Sequence, residues 1–255
     1  MENSILHSNF FSGLSGLQLP VPKYKLPEEY QIKSRLAYYA SLFNSIEINS
    51  TFYKKPLSAT IARWKNIVGE NFRFTFKLWK QITHAPLLCF EKNDVDSFIK
   101  SISLIEQKAG CLLIQFPPSL GVENMRNLNL LLEILFSNIY QRLDIAIEFR
   151  NKSWYVDETY DLLNKFKAIL VLHDFPKGKP PFLEYYSEKM YIRFHGPAGN
   201  YRESYPDDFL SEYAVFINEW CESGKIVYCY FNNTMGDAFN NLRKLNEFVN
   251  KICTC

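Results

Sequence analysis

The heptapeptide Phe72-Arg73-Phe74-Thr75-Phe76-Lys77-Leu78 alternates apolar and polar side chains without a break. Successive residues of a β-strand point to opposite faces, so the pattern predicts a strand with one apolar face and one mixed face. Similar apolar runs lie at 45–49, 111–116, 144–149, 168–174, 190–195, 225–232 and, more weakly, 7–12. Together these runs predict eight strands.

Helical patterns separate the predicted strands. They lie at 34–43, 93–108, 124–136, 157–166, 207–221 and 237–252, and a further one begins with Ser58 as its cap. The connection 175–189 is rich in Pro and Lys and predicts a loop in place of the sixth helix. This alternation predicts a single (β/α)8 TIM-type barrel domain over residues 1–255. A doubly wound open sheet is the alternative, but the chain lacks the Gly-rich phosphate-binding turn typical of that fold.

Composition narrows the class of protein. The hydrophobic fraction of 47% is that of a globular chain, and the net charge of +2 disfavours nucleic acid as a partner. No apolar run approaches the ~18 residues of a membrane span, and the N-terminus does not resemble a signal peptide. The six cysteines contain no CxxC pair. We therefore expect a reduced, cytoplasmic protein with no membrane association.

Polar side chains gather near the ends of the predicted strands, on the mixed faces. They are Glu47, Asn49, Lys77, Gln115, Glu148, Arg150, Asp174, Arg193, His195 and Asn232. If the apolar faces pack on the helices, these side chains point into the barrel at its C-terminal mouth, where barrel enzymes build their sites. His173, on the opposite face from Asp174, is expected to pack against a helix. A mutually neutralising structural network is the alternative interpretation of the charges.

Several of these residues lie in segments that resemble a known family. The segments are 47–53, 74–77 with 82–84, 113–119, 148–150 with 153–154, 191–196 and 230–233. They resemble the YecE-like family, catalogued as domain of unknown function seventy-two, over about residues 11–248. The resemblance implies a TIM-type barrel loosely grouped with sugar isomerases. The chain departs from the family at Gly13-Leu14-Ser15-Gly16-Leu17, where Gly-Thr-Ser-Gly-Trp is usual, and at Asn151, where His is common.

Three kinds of function fit this mouth. In the first, an isomerase or epimerase binds Mg, Mn or Zn through Glu148, Asp174 and His195. In the second, cations hold a phosphate, carboxylate or enediolate without a metal, for isomerisation or for hydrolysis of a glycosidic or phosphoester bond. The third is a non-catalytic binding module whose aromatic side chains stack on a ligand.

We therefore expect acid–base chemistry of the isomerase kind on a small polar metabolite that is sugar-like or phosphorylated. The expected catalytic residues are Glu47, Lys77, Glu148, Asp174 and His195. The expected substrate-binding residues are Asn49, His84, Gln115, Arg150, Trp154, Arg193, Tyr201, Tyr205, Asn232 and Asn233. The segment 196–205, which is followed by Pro206, is a candidate lid over the mouth.

Overall fold

Eight parallel strands follow one another round a barrel in the computed structural model, which describes residues 7–138, 143–176, 178–181 and 187–253. The strands are β1 (Phe10–Leu14), β2 (Ser45–Ile48), β3 (Arg73–Lys77), β4 (Ala109–Gln115), β5 (Asp144–Glu148), β6 (Ile169–His173), β7 (Lys189–Phe194) and β8 (Ile226–Phe231). Hydrogen bonds join them in the order β1-β8-β7-β6-β5-β4-β3-β2, and a parallel bridge between Ser15 and Glu47 brings β1 next to β2. This nearly closed barrel confirms the predicted TIM-type fold.

Helices occupy the connections between the strands. The α-helices are α1 (Glu28–Gln31), α2 (Arg35–Leu42), α3 (Ser50–Tyr53), α4 (Ser58–Ile67), α5 (Lys80–Thr83), α6 (Lys92–Ile102), α7 (Met125–Asn138), α8 (Asp157–Lys165), α9 (Asp207–Glu222) and α10 (Ala238–Cys253). Short 3-10 turns lie at Lys23–Lys25, Pro86–Leu88, Ser103–Lys108, Val122–Asn124 and Lys152–Trp154. Within the described ranges, none of the helices has both the length and the apolar character needed to cross a bilayer.

Three predicted boundaries need correction. The first strand begins at Phe10 rather than at residue 7, because a turn in which the Phe10 amide donates to the His7 carbonyl precedes it. Ser58 is the first residue of α4 and not its cap, since Leu57 stands at the capping position. The helix predicted at 93–108 ends at Ile102 and continues as a 3-10 turn, in which Glu106 has a φ of 50°.

The two faces of the strands pack in different places. The β3 side chains Phe74 and Phe76 are fully buried between the barrel and its helices. A second cluster fills the barrel interior and consists of Phe11, Cys111, Leu113, Ala146, Ile169, Val171, Tyr191, Tyr228 and Tyr230. The mixed faces of β4, β5, β7 and β8 therefore point inward, as the alternation predicts.

Strand β6 is the exception to the predicted orientation. Ile169 and Val171 belong to the interior cluster, so His173, two residues further on, also points inward. Its Nε2 lies 2.9 Å from the Phe149 carbonyl oxygen, and its ring stacks on that of His195. The expectation that His173 packs against a helix was wrong.

The connection between β6 and β7 matches the predicted loop where it can be followed. Residues 174–176, 178–181 and 187–188 form no helix. Residue 177 and residues 182–186 lie outside the described part of the chain.

Candidate active site

Arg193 of β7 lies at the centre of the barrel mouth between two glutamates. Its Nη2 and Nε donate to Glu47 of β2, at 2.6 Å from Oε1 and 3.0 Å from Oε2. Its Nη1 donates to Oε2 of Glu148 on β5, at 2.5 Å. All three side chains have no exposed surface. Burying a charge is costly unless it is paired, and this geometry pairs each carboxylate with a guanidinium.

Two neutral side chains complete the hydrogen bonding of Glu47. Ser15 Oγ donates to Oε1 at 2.6 Å, and the Tyr191 hydroxyl donates to Oε2 at 2.6 Å. Ser15 can reach Glu47 because β1 and β2 approach closely at Gly13, where a Cβ would lie 2.1 Å from the Ser45 carbonyl oxygen. Both oxygens of Glu47 are therefore engaged by donors. These contacts do not favour Glu47 as a proton-transferring base, and its catalytic role stays a prediction.

Glu148 is held in the same way by a second arginine. Arg150 donates from Nε to Oε1 of Glu148, and its guanidinium lies 4.0 Å from the centre of the Phe175 ring. Burial by itself would raise the pKa of Glu148, but Arg150 and Arg193 outweigh burial and hold that pKa well below its ordinary value. Glu148 therefore stays ionised and is a poor proton carrier near neutral pH. The expected acid–base role of Glu148 stays a prediction that this low pKa does not favour.

His195 lies beneath Arg150 and is neutral. Because a guanidinium can only donate, the 2.5 Å contact from Arg150 Nη2 makes His195 Nε2 an acceptor and leaves the ring proton on Nδ1. Burial, followed by Arg193 and Arg150, lowers the pKa of His195 well below its ordinary value despite the opposing effect of Glu148. Among the described residues, Nδ1 has no hydrogen-bond partner. His195 can therefore donate a hydrogen bond but does not exchange a proton readily at neutral pH.

Asp174 anchors the main chain above His195. Its Oδ1 accepts from the His195 amide at 2.7 Å, and its Oδ2 accepts from the Tyr205 hydroxyl, which in turn accepts from the Gly196 amide at 2.6 Å. Burial raises the pKa of Asp174 to about 6. Tyr205 was expected to bind substrate. Its side chain is instead buried, and its hydroxyl is hydrogen-bonded to Asp174 and to the Gly196 amide.

The expected metal ligands do not fit a metal ion. Both Glu148 oxygens face guanidinium groups, and Nε2 of His195 faces Arg150. Asp174 Oδ1 lies 3.9 Å from His195 Nδ1 and is turned to the main chain. Within the described ranges no group of three or more His, Cys, Asp and Glu could hold a metal. Glu148 and His195 are therefore already engaged by arginines, and Asp174 is engaged by the His195 amide and the Tyr205 hydroxyl, so we derive no chemistry through a metal.

The opposite half of the mouth is accessible to solvent. Its side chains are Asn49, Lys77, His84, Gln115 and Asn232, which we call the open set, and each is partly or largely exposed. Lys77 Nζ donates to Gln115 Oε1 at 2.8 Å and lies 4.3 Å from the centre of the Phe52 ring. Asn49 Nδ2 and Asn232 Oδ1 are 3.4 Å apart. The sequence did not suggest Phe52, whose ring also packs against His84.

The two ionisable groups of the open set have lowered pKa values. Burial, followed by the charge of Arg193, lowers the pKa of Lys77 to about 8, although Glu148 and Glu47 oppose the shift. Burial and the neighbouring Lys77 and Lys80 lower the pKa of His84 to about 4. His84 is therefore neutral at pH 7, and Lys77 exchanges its proton close to neutrality.

Two further side chains that were expected to bind substrate are buried and hydrogen-bonded to main-chain carbonyl groups. Trp154 is fully buried between Phe149 and Phe116, and its Nε1 donates to the Leu120 carbonyl oxygen at 2.8 Å. Asn233 is also fully buried and donates to the Glu203 carbonyl oxygen at 3.0 Å. Trp154 lies in the core and does not fit a substrate contact, whereas the role of Asn233 stays a prediction.

The candidate lid is hydrogen-bonded to the end of β7, which precedes it, and to the loop that follows β8. Tyr201 donates from its amide to the His195 carbonyl and accepts from the Met235 amide, at 2.7 and 2.9 Å. Its ring stacks on that of His195 and stays partly exposed. Tyr201 therefore covers the half of the mouth that contains His195 and Arg150.

The fold and the mouth define this chain as a (β/α)8 barrel protein with a buried charge network beside an accessible lysine. It belongs to the family described as protein of unknown function DUF72, whose model matches residues 13–253. The family resemblance of the sequence is thereby confirmed.

Individual relatives agree with this assignment. The UPF0759 protein YunF of Bacillus subtilis (strain 168) is 28% identical over 258 residues, which cover 88% of this chain and 89% of YunF. The UPF0759 protein YecE of Escherichia coli (strain K12) is 27% identical over 106 residues, 41% of this chain and 39% of YecE. A crystal structure of a DUF72 family protein from Enterococcus faecalis V583 shares the fold, with a TM-score of 0.78 and 23% identity over 94% of this chain and 95% of that one.

Proposed function

We propose that this protein is an enzyme whose barrel mouth binds a small polar substrate, sugar-like or phosphorylated, and performs acid–base chemistry of the isomerase kind. The observation that carries the proposal is the position of Lys77 and the absence of a carboxylate partner for it among the described residues. The residue is partly exposed at the mouth, and within the described ranges no carboxylate pairs with its amine. We therefore place the reactive group of the site at Lys77 and not at the glutamates.

The charge balance of the mouth supports an anionic or strongly polar substrate. Arg150 and Arg193 are balanced by Glu148 and Glu47, to which they are hydrogen-bonded. Lys77 is partly exposed and, within the described part of the chain, forms no ion pair with a carboxylate. A substrate oxyanion or carbonyl oxygen would replace water at this ammonium and gain a charge-assisted hydrogen bond.

The amides of the open set support a ligand with several hydroxyl groups. Asn49 Oδ1 is buried and, within the described part of the chain, has no hydrogen-bond partner. An unsatisfied buried acceptor costs about 1–3 kcal/mol, which a ligand hydroxyl would recover by donating to it. The long contact between Asn49 and Asn232 leaves both amides able to reorient toward such a ligand.

Proton transfer near neutral pH also favours this half of the mouth. Lys77, with a pKa of about 8, populates both protonation states between pH 7 and 9. The neutral imidazole of His84 packs on the same Phe52 ring as Lys77 and can form a hydrogen bond with a substrate hydroxyl. By contrast, hydrolysis of a glycosidic bond needs one carboxylic acid and one available carboxylate, and both glutamates are engaged by arginines.

The proposal is tested by calorimetry with sugars and sugar phosphates, followed by NMR detection of solvent deuterium entering the carbon next to the carbonyl. Lys77→Met is compared with Lys54→Met, because Lys54 is an exposed lysine that follows the neighbouring strand. We expect wild type and Lys54→Met to bind one class of these compounds and to incorporate deuterium, and Lys77→Met to lose incorporation. Equal incorporation by wild type and Lys77→Met, or no binding by wild type, would refute the proposal.

A further inference from the structure

We propose that Lys77 acts covalently, and that its amine forms an imine with the aldehyde or keto group of a small carbonyl compound. This inference rests on the proposed function and specifies both its substrate class and the way in which Lys77 acts. The substrate would carry a free carbonyl, as open-chain aldoses and ketoses and their phosphate esters do.

The surroundings of Lys77 differ from those of the lysines with structural roles. Lys108 donates to the main-chain carbonyls of Lys65 and Val68 at 2.9 and 2.8 Å and lies 3.0 Å from Glu70. Lys189 is paired with Asp144 at 2.5 Å. Those contacts bind each amine to charged or main-chain oxygen acceptors. Lys77 has a single side-chain acceptor, the neutral amide of Gln115.

The position of Lys77 also suits attack on a carbonyl carbon. It is the last residue of β3, and Thr75, two residues earlier, contacts Tyr230 in the barrel interior. Lys77 therefore points into the mouth, where the residue is partly exposed. The buried network beside it supplies a fixed electrostatic environment in which no carboxylate oxygen is available to pair with the ammonium.

The covalent step needs no oxidant or reductant. The lone pair of the neutral amine attacks the carbonyl carbon while the π electrons move to oxygen, and a proton shifts from nitrogen to oxygen to give a carbinolamine. Protonation of the hydroxyl then releases water and leaves a protonated imine. One proton is consumed and one water is produced. Since the pKa of Lys77 is about 8, about a tenth of the amine is neutral at pH 7, far more than for an ordinary lysine.

The site can hold the product of this step with its present contacts. A protonated imine is a cation, so the face of the Phe52 ring stabilises it as it stabilises the ammonium. Its remaining N–H can keep the hydrogen bond to Gln115 Oε1. The protonated imine also acidifies the neighbouring C–H bond. It thereby prepares the substrate for the proton transfer that isomerase chemistry requires.

The experiment is reductive trapping with two carbonyl probes, glycolaldehyde and dihydroxyacetone, in the presence of cyanoborohydride. Adducts are located by peptide mass spectrometry in wild type, Lys77→Arg and the control Lys54→Arg. Lys77→Arg keeps the positive charge but cannot form an imine, and its fold is checked by its melting curve. We expect Lys77 of wild type and of Lys54→Arg to be modified at least about tenfold faster than Lys54 of wild type, because a larger fraction of its amine is neutral. No such adduct is expected in Lys77→Arg.

The outcomes separate the inference from the proposed function. Modification of Lys77 at the same rate as exposed lysines would overturn the imine. If substrate binding and deuterium incorporation still depended on Lys77 in that case, the proposed function would stand with Lys77 acting without a covalent bond. If binding and incorporation were both absent, the proposed function would fail as well.

Discussion

Arg193 reaches from β7 to β2 and binds Glu47 through two nitrogens, with Nη2 at 2.6 Å from Oε1 and Nε at 3.0 Å from Oε2. The remaining guanidinium nitrogen, Nη1, binds Glu148. One fully buried arginine therefore forms ion pairs with two fully buried glutamates from different strands. The mouth is built on this arrangement, because burying a carboxylate is costly unless a cation pairs with it.

Replacement of Arg193 by Met should destabilise the protein strongly. The variant leaves Glu47 without its guanidinium partner and Glu148 with Arg150 alone, and removing one partner of a buried ion pair costs about 3–5 kcal/mol. Urea denaturation measures the free energy of unfolding. Arg243→Met is the matched control, since Arg243 forms an exposed pair with Glu247 at 3.9 Å that should contribute no more than about 1 kcal/mol. A similar, small loss in both variants would contradict the proposed role of Arg193.

The ionised state of Glu148 predicts how stability depends on pH. The folded pKa lies well below the ordinary value of 4.5, so the unfolded chain binds the proton more readily in acid. This contribution to stability is fully present above about pH 4.5 and is lost as the pH falls through the folded pKa. The difference in unfolding free energy between wild type and Glu148→Gln should therefore be largest at neutral pH and shrink in acid. The exposed Glu133→Gln should change stability little at any pH.

Asp174 predicts the opposite pH dependence. Its folded pKa of about 6 lies above the ordinary 3.8, so the folded protein retains the proton in a range where the unfolded chain has lost it. Its contribution to stability is therefore greatest below about pH 4 and falls as the pH rises to about 6. The unfolding free energy of wild type minus that of Asp174→Asn should decline over this range. A difference that stayed level or increased would contradict the position assigned to Asp174.

Strand alternation allowed much of the mouth to be predicted. In β3, β4, β5, β7 and β8 one face is apolar and the other mixed, so the inward direction of Lys77, Gln115, Glu148 and Arg193 follows from period-two geometry. In β6 the residues Ile169, Leu170, Val171 and Leu172 are apolar on both faces. Alternation therefore carries no information there, and the orientation of His173 was predicted incorrectly.

The roles of the residues at the mouth could not be predicted in the same way, because they depend on contacts that strand alternation does not specify. Ser15, which follows β1, and Tyr191 of β7 are far apart in the chain, and the nearly closed barrel brings both to Glu47. An aromatic residue that follows a strand has the same sequence pattern whether it faces a ligand or, like Trp154, fills the core beneath a loop. The sequence therefore predicted which side chains point toward the mouth. It could not predict that both glutamates are hydrogen-bonded to arginines while Lys77 has no carboxylate partner among the described residues.

The most direct test of the account is an NMR titration of Lys77 itself. In protein labelled with carbon-13 and nitrogen-15 on lysine, the Lys77 side-chain signal is identified as the one missing from Lys77→Arg. The account predicts a titration midpoint near pH 8, because burial and Arg193 lower the pKa of this amine to about 8. A midpoint near the ordinary value of 10.5 would show an unactivated lysine and would contradict its role as the reactive group of the mouth.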